Sequence, residues 1–348
     1  MSAHVVVGVD IGDESIRAIE VTGIGKVRPT VLRYREIALP EGAVKNGEVT
    51  EANTVAAALK QLWSAGGFRS KNVVLGVGNS KVLVRDLTVP RLSHKEIRQS
   101  LPSHVQDMLP VPVADALLDF YPISESVAEN GPVVHGLLVA AIKESVQANV
   151  TAVRLAGLSP VAVDLIPFAL SRLHTRGRAQ GALAFVDVGA RTTNVVVTVD
   201  GIPQFVRIIA MGGHNLTTAL VDRLQVTPEQ AETIKRSLGL AAGPVHPEQA
   251  AAVEAIHDIT GDLLNSLRNT LNYFANTHRT ATFDGIVLTG GGAELSGFSD
   301  ALAEITRIPI APADPFSTVE IARDLKKVGA PDRRSMTVAL GLALGSAA

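Results

Sequence analysis

The chain contains no cysteine. This excludes disulfides, thiolate metal sites and a cysteine nucleophile, and it suits a reducing compartment such as the cytosol. Strong charge bias is missing too. The formal net charge is −2 and no basic tail or run occurs, so nothing electrostatic points to nucleic acid. Residues 1–9 lack a basic segment followed by a long apolar one, and no signal peptide is expected. The longest apolar runs, such as 137–142 and 338–344, fall well short of the about 20 residues of a membrane-spanning helix. A soluble protein is expected, with any membrane association passing through a partner or a surface helix. The histidines (4, 94, 104, 135, 174, 214, 246, 257 and 278) show no metal-ligand spacing and read as surface or structural residues.

What is present is a 348-residue chain with 46% hydrophobic residues, enough for a full core and roughly two domains. It opens with VVVGVDIGDESIRAIEV at 5–21, which reads as two strands joined by a tight turn. Strand-like alternation continues over 27–39, helical spacing of Val55, Leu59 and Leu62 predicts a helix over 50–66, and 72–78 is an apolar strand. A second unit, 82–166, has the order strand (82–89), helix (93–109), strand (116–123), strand (133–142), helix (143–156), strand (161–166). Ser93 and Glu96 form a capping box for its first helix, Pro110 and Pro112 stop that helix, and 124–132 is a polar loop. This order is a compact split βαβ arrangement. The opening pattern then returns as ALAFVDVGARTTNVVVTVD, 182–200, after a stretch at 178–181 that reads as a hinge or linker. Helices are expected over 215–240, 247–278, from Ser299 and from about Arg334 to Gly345, with a strand at 283–288.

An aspartate ends each of the two repeated strands, at Asp10 and Asp187. A buried, unpaired carboxylate is costly. It makes sense if it faces a cleft and holds Mg²⁺ through waters, because that cation prefers hard oxygens and keeps much of its hydration. Glycines in the following turns, Gly12 and Gly189, leave backbone N–H groups free to converge on phosphate oxygens. Two such turns could grip one polyphosphate from both sides, although a single one fits an ordinary hairpin. LTGGGAELSGF, 288–298, adds three glycines after a buried strand, bare backbone on which a base and ribose can lie. It is no Walker A loop, since no Lys-Ser/Thr follows, and no dinucleotide fingerprint.

The order DIGDES, DVGARTTN, MGGHNLT and TGGGAELSGF resembles the actin-like ATPase superfamily across residues 8–298. More narrowly, VLVRDLTVP (82–90), MLPVPVADALLDFYPI (108–123), LLVAAIKESV (137–146), AGLSPVAVDLIPFAL (156–170) and VALGLALGSA (338–347) resemble the PilM family of type IV pilus assembly proteins, related to cell-division FtsA. The resemblance implies an α/β, actin-like (ribonuclease H-like) two-domain fold with a small inserted split βαβ subdomain. Its first domain would be 1–81 plus 160–181, its insertion 82–159 and its second domain 182–348, the last helix packing back on the first domain.

It further implies ATP and Mg²⁺ between the domains, with Asp10 and Asp187 near the metal. Gly12, Asp13, Glu14 and Ser15 would form the first phosphate turn, and Gly189, Ala190, Arg191, Thr192, Thr193 and Asn194 the second. Gly212 and Gly213 would approach the γ-phosphate, and Gly290, Gly291, Gly292 and Ala293 would hold the adenosine. Glu232 and Lys235, three apart on one helix face, match ribose or base contacts, although an exposed surface ion pair explains the spacing equally well.

Departures from the superfamily pattern matter as well. Asp13 and Glu14 replace small hydroxyl residues and repel phosphate unless Mg²⁺ or an arginine, Arg17 or Arg191, screens them. For Arg17 a solvated position is the favoured reading. Ile166 stands before Pro167 where heat-shock chaperones and bacterial actins often carry a water-orienting glutamate, so slow or absent hydrolysis is expected.

The PilM resemblance implies a cytoplasmic scaffold, peripheral to the inner membrane. It would capture the cytoplasmic tail of a PilN-like membrane protein in a groove lined from roughly 82–90 and 105–120. Pilus motor ATPases are candidate partners, and self-association stays open. The alternatives are an FtsA-like filament protein, disfavoured because GLALGSAA carries no basic amphipathic face, and a small-molecule kinase of the same fold.

Overall fold

The computed structural model describes residues 5–175, 180–240, 246–278, 282–323, 325 and 333–345. The hinge expected at 178–181 lies outside them, apart from its last two residues.

Valine-rich alternation makes the first strands. β1 (Val5–Ile11), β2 (Ser15–Thr22) and β3 (Thr30–Ala38) form an antiparallel meander. A small hairpin, β4 (Val44–Lys45) and β5 (Glu48–Val49), turns at Asn46-Gly47, both with positive φ. It leads into α1 (Ala52–Gly66), which ends on a left-handed Gly67 whose N–H donates to the Ser64 carbonyl. β6 (Asn72–Val77) then returns parallel to β1.

The next stretch is β7 (Val82–Pro90), α2 (His94–His104), β8 (Ala116–Ala128), β9 (Gly131–Ile142), α3 (Lys143–Leu155), β10 (Ser159–Leu165) and α4 (Ile166–Thr175). The Ser93–Glu96 capping box is present, but α2 stops at His104, before the prolines expected to end it. The polar stretch 124–132, read as a loop, is mostly strand, because β8 continues to Ala128 and turns tightly into β9. β7, β9 and β8 form a three-stranded, wholly antiparallel sheet. The strand–helix order matches the split βαβ reading, yet its last helix and strand serve the neighbouring sheet. β10 pairs parallel with β6, and α3 buries Ala152 and Val153 with Leu59 and Leu62 of α1.

The second half repeats the first. β11 (Ala182–Val188), β12 (Thr193–Val199) and β13 (Ile202–Ile209) form another meander. α5 (Gly213–Leu224), α6 (Pro228–Leu238) and the long α7 (Ala250–Thr277) follow. Then come β14 (Phe283–Thr289), α8 (Phe298–Thr306), β15 (Ile310–Pro312), β16 (Glu320–Ile321) and α9 (Thr337–Gly345).

Among the described residues the strand orders are β10-β6-β1-β2-β3-β16 and β13-β12-β11-β14-β15. Apart from β16, one list is the other reversed, so the sequence repeat is a repeat of topology.

Strand parity decides which way the key residues face. In β1, Val7, Val9 and Ile11 pack outward on α1 and α3, while Val6 joins the central core with α4 and α9. In β11, Ala184, Val186 and Val188 pack outward with α7 and α8, while Phe185 joins the central core. By the same alternation Asp10 and Asp187 face inward, between the sheets. α9 is apolar all round and buried from Thr337 to Leu344, as a helix enclosed by core must be. It packs on β1, β2, β6 and α4. Its approach to β1 requires Gly8, where a Cβ would lie 1.9 Å from the Ala339 carbonyl oxygen.

Candidate nucleotide cleft

A cleft of about 630 Å³ opens between the two sheets at the ends of β1 and β11. It collects Asp10, Gly12, Asp13, Glu14, Ser15 and Arg17 from the first half. From the second half it collects Asp187, Gly189, Ala190, Thr192, Asn194, Gly213, Glu232, Lys235 and Gly290 to Gly292. Four of the sequence candidates are not part of this lining. Thr193 is buried and donates to the Met211 carbonyl at 2.7 Å. Ala293 packs on the outer core of the second half. Gly212 caps α5, its N–H donating to Asn215 Oδ1 at 2.9 Å. Arg191 spans the two turns, as described below.

The turns are built alike. The Gly12 N–H donates to the Ser15 carbonyl at 3.0 Å and the Gly189 N–H to the Thr192 carbonyl at 2.9 Å. In register, Asp10 lies opposite Arg17 and Asp187 opposite Asn194. The second turn is tied to α5, because Gly213 and His214 N–H donate to the carbonyls of Gly189 and Ala190 at 2.9 and 2.7 Å. Gly290 has φ +90°, and a Cβ there would lie 2.3 Å from the Val188 carbonyl oxygen; only glycine fits.

Arg17 is not a solvated surface arginine. Its Nη1 is 3.4 Å from Asp10 Oδ2 and its Nε 2.9 Å from Glu36 Oε1. β3 places Glu36 opposite Arg17 in register, so the pairing follows from strand geometry. Asp13 also departs from a free repulsive charge. Its Oδ2 accepts the Gly47 N–H at 3.1 Å, and its Oδ1 is 3.4 Å from Arg191 Nε. Glu14 remains exposed.

Glu232 and Lys235 form an intimate group rather than an exposed pair. Lys235 Nζ is 2.5 Å from Glu232 Oε2 and donates to Thr217 Oγ1 at 2.9 Å and to the Gly213 carbonyl at 3.2 Å. Burial pushes the Glu232 carboxyl up, but hydrogen bonds from Lys235 and Arg236 outweigh it and hold the group at about 2.

Burial raises the Asp10 carboxyl, with Arg17 opposing. Burial, followed by the charge of Asp10, pushes Asp187 up to about 7. Two inward carboxylates that resist joint ionisation make a place a divalent cation would relieve, and their hard oxygens suit Mg²⁺. Among the described residues no group of three or more His, Asp or Glu could hold a metal alone. The donor set therefore fits Mg²⁺ only together with water and ligand oxygens.

Sequence reasoning missed Glu36, His214, Arg236, Glu294, Ser335 and Thr337, all of which line the cleft. Glu36 had a signal in its strand register, and His214 in its place beside Gly212-Gly213. Burial, then the Arg191 guanidinium, pushes the His214 imidazole below its usual range. Arg191 Nη2 lies 2.8 Å from His214 Nε2, which assigns that nitrogen as acceptor and the ring as neutral. Ser335 and Thr337 arrive from the far end of the chain with α9, and Thr289 Oγ1 donates to Thr337 Oγ1 at 3.0 Å.

A solved structure described as the PilM–PilN type IV pilus biogenesis complex superposes with a TM-score of 0.84 and 25% identity, covering 97% of each chain. An MreB of Spiroplasma citri bound to AMPPNP superposes at 0.55 with 11% identity over 98% of this chain and 95% of that one; this likeness concerns the fold. The cell division protein FtsA of Borreliella burgdorferi is 24% identical over 91% of this chain and 86% of its own length. The family model for the type IV pilus assembly protein PilM matches residues 8–347. With two mirrored meanders, a cleft between their aspartate turns and a family match over nearly its whole length, the chain belongs to the PilM family of actin-like proteins.

Proposed function

We propose that the protein is an ATP-binding scaffold of the type IV pilus assembly platform, working in the cytoplasm beside the inner membrane. The observation that carries the nucleotide reading is the pairing of two aspartate-glycine turns across one cleft, with Gly290 to Gly292 beside them. The turns at 12–15 and 189–194 would hold the phosphates, Gly290 to Ala293 would face the adenosine, and Glu232 with Lys235 would reach the ribose. Gly212 and Gly213 would border the γ-phosphate through the α5 N-terminus, where the helix dipole favours negative charge. Asp10 and Asp187 would hold Mg²⁺ through waters, and the cation would supply charge neutralisation for the phosphates. Arg17 and Arg191 offset the acidic first turn.

Ile166 lines the cleft at the start of α4. An aliphatic side chain neither orients water nor takes a proton, which supports a ligand held rather than rapidly hydrolysed.

The partner reading draws on the superposed PilM–PilN complex. A second cavity of about 460 Å³ lies between the three-stranded sheet and the β10–α4 corner. Val82, Leu117, Tyr121, Val163 and Phe168 line it, and the Tyr121 and Phe168 rings sit 4.9 Å apart. Apolar pockets beside strand edges suit an extended peptide, and this groove is the proposed seat for the tail of a PilN-like protein. Residues 82–159 would act as the inserted unit that forms one wall. Titrating the protein with Mg²⁺–ATP and a synthetic tail peptide tests both parts. The reading predicts two independent binding sites and turnover far slower than dissociation; robust Mg²⁺-dependent hydrolysis lost in Asp187→Ala would contradict the hydrolysis claim.

A further inference from the structure

Charge is distributed unevenly along the first sheet, and strand register shows how. The cleft end carries Asp10, Asp13, Glu14 and Glu36. The opposite end is formed by the starts of β1, β6 and β10 and by the β2–β3 turn. There Val5 pairs with Thr22, Thr22 with Thr30, Val7 with Val73 and Ser159 with Asn72. The loops emerging at this end carry Lys26, Arg28, Arg69 and Lys71, and the last turn of α3 adds Arg154. All five are exposed. With strands spaced about 4.8 Å apart, they extend over roughly 20 Å from β10 to β3.

The acids at this end offset them only in part. Glu20 is fully buried, ion-paired with Arg33 and bound by the N–H groups of Arg69 and Ser70 at 2.9 and 2.7 Å. Glu320, exposed in β16, lies opposite Thr30 at the β3 margin. Two apolar side chains stand among the bases. Val27 is 89% exposed between Lys26 and Arg28, and Leu155 is 46% exposed beside Arg154. Arg28 Nη2 donates to the Ser317 carbonyl at 2.9 Å, which fixes the turn that presents Val27.

We propose that this end of the first sheet is a docking face for an anionic bilayer surface. The bases lie over the headgroups, and Val27 reaches the headgroup boundary. Each lysine or arginine near such a surface is attracted independently of sequence, and Val27, exposed between two of the bases, adds an apolar contact at the headgroup level. Single-stranded nucleic acid would call for exposed aromatic platforms. The aromatics here, Trp63 and Phe68, instead turn on each other at 5.0 Å, and Trp63 Nε1 donates to the Ser70 carbonyl at 2.9 Å. Docking by this end leaves the cleft, at the other end of β1, open to solution. The inference rests on neither nucleotide binding nor tail capture.

The test uses the full chain with no partner peptide, and vesicles of phosphatidylcholine alone or mixed with phosphatidylglycerol. Sedimentation measures binding, and quenching of the lone Trp63 by brominated lipid reports which end faces the bilayer. Anionic vesicles should bind at least about tenfold more tightly than neutral ones, with the difference shrinking as salt rises. The triple variant K26E/R69E/K71E should lose about tenfold or more, while K95E/K143E/R207E, exposed bases elsewhere with the same charge change, should stay within about twofold. Equal loss in both triples, equal binding to both vesicle types, or tighter binding to a DNA oligonucleotide than to the anionic vesicles would overturn the proposal. If the first triple fails to fold, the salt series on the unaltered chain decides; binding indifferent to salt overturns it equally.

Discussion

Arg191 reaches from the second turn to the first, its Nε 3.4 Å from Asp13 Oδ1, while its Nη2 lies 2.8 Å from His214 Nε2. The two halves of the molecule are thereby joined by an ion pair at the mouth of the cleft. Asp13 is held from its other side by the Gly47 N–H, so its charge is partly spent inside the protein before any phosphate arrives. Arg191→Ala should weaken ATP binding about tenfold, the usual scale for losing a charge-assisted contact. Asp13→Asn keeps an oxygen for Gly47 and removes a negative charge, and should strengthen binding when Mg²⁺ is absent. Titration with a fluorescent ATP analogue reads both; if Asp13→Asn also weakens binding, the carboxylate does not repel the ligand.

The pairing of Asp10 with Asp187 predicts a pH dependence. Asp187 titrates at about 7 in the folded chain, above the usual carboxylate value near 4 of an unfolded one. Between these values the folded state binds more protons than the unfolded state, so stability falls as pH rises from about 4 through about 7. Asp187→Asn removes the effect, and should be more stable than the parent by up to about 4 kcal/mol at pH 8 and close to it at pH 4. Urea unfolding at the two pH values measures this. A variant less stable at pH 8 would show that the carboxylate is held by favourable contacts instead.

Much of this arrangement is legible in the sequence for a physical reason. Asp10 and Asp187 end strands whose alternation fixes their face, and the repeated turn announced the repeated topology. The features that the sequence does not display depend on contacts between distant parts of the chain. Glu36 meets Arg17 only through the β2–β3 register, and Thr337 reaches the cleft because α9 travels back to the first sheet. The full extent of β8 is not readable because residues 124–128 are exposed on both faces, and an exposed hairpin arm has no hydrophobic period to read.

The return of α9 gives a stability prediction. A side chain at Gly8 would meet backbone atoms, the Ala339 oxygen at 1.9 Å and the Ala343 nitrogen at 2.6 Å. These cannot swing aside as a flexible side chain could. Gly8→Val should destabilise the protein by about 3 kcal/mol. Gly25→Ala, where nothing lies within 4 Å of the added carbon, should stay within about 0.5 kcal/mol. Thermal unfolding of the two variants separates them, and equal effects would show that α9 does not press on β1 as described.

The second cavity can be tested apart from the first. Leu117 and Val163 are 43% and 38% exposed and sit on opposite walls, β8 and β10. Leu117→Asp or Val163→Asp should cost the tail peptide at least about tenfold in affinity, because an apolar pocket cannot solvate the charge. ATP affinity should be unchanged. Fluorescence anisotropy with a labelled peptide measures the first and calorimetry the second. Peptide binding that survives both substitutions would place the partner elsewhere.

The central claim is that the cleft between Asp10 and Asp187 binds ATP with Mg²⁺. Isothermal titration of ATP into the protein, with and without Mg²⁺, and into Asp10→Ala and Asp187→Ala, tests it most directly. The account predicts one site per chain, Mg²⁺-dependent, with affinity reduced about tenfold or more in each variant. ATP bound with the same affinity in all three proteins, or no heat of binding to the unaltered chain at any Mg²⁺ concentration, would contradict it.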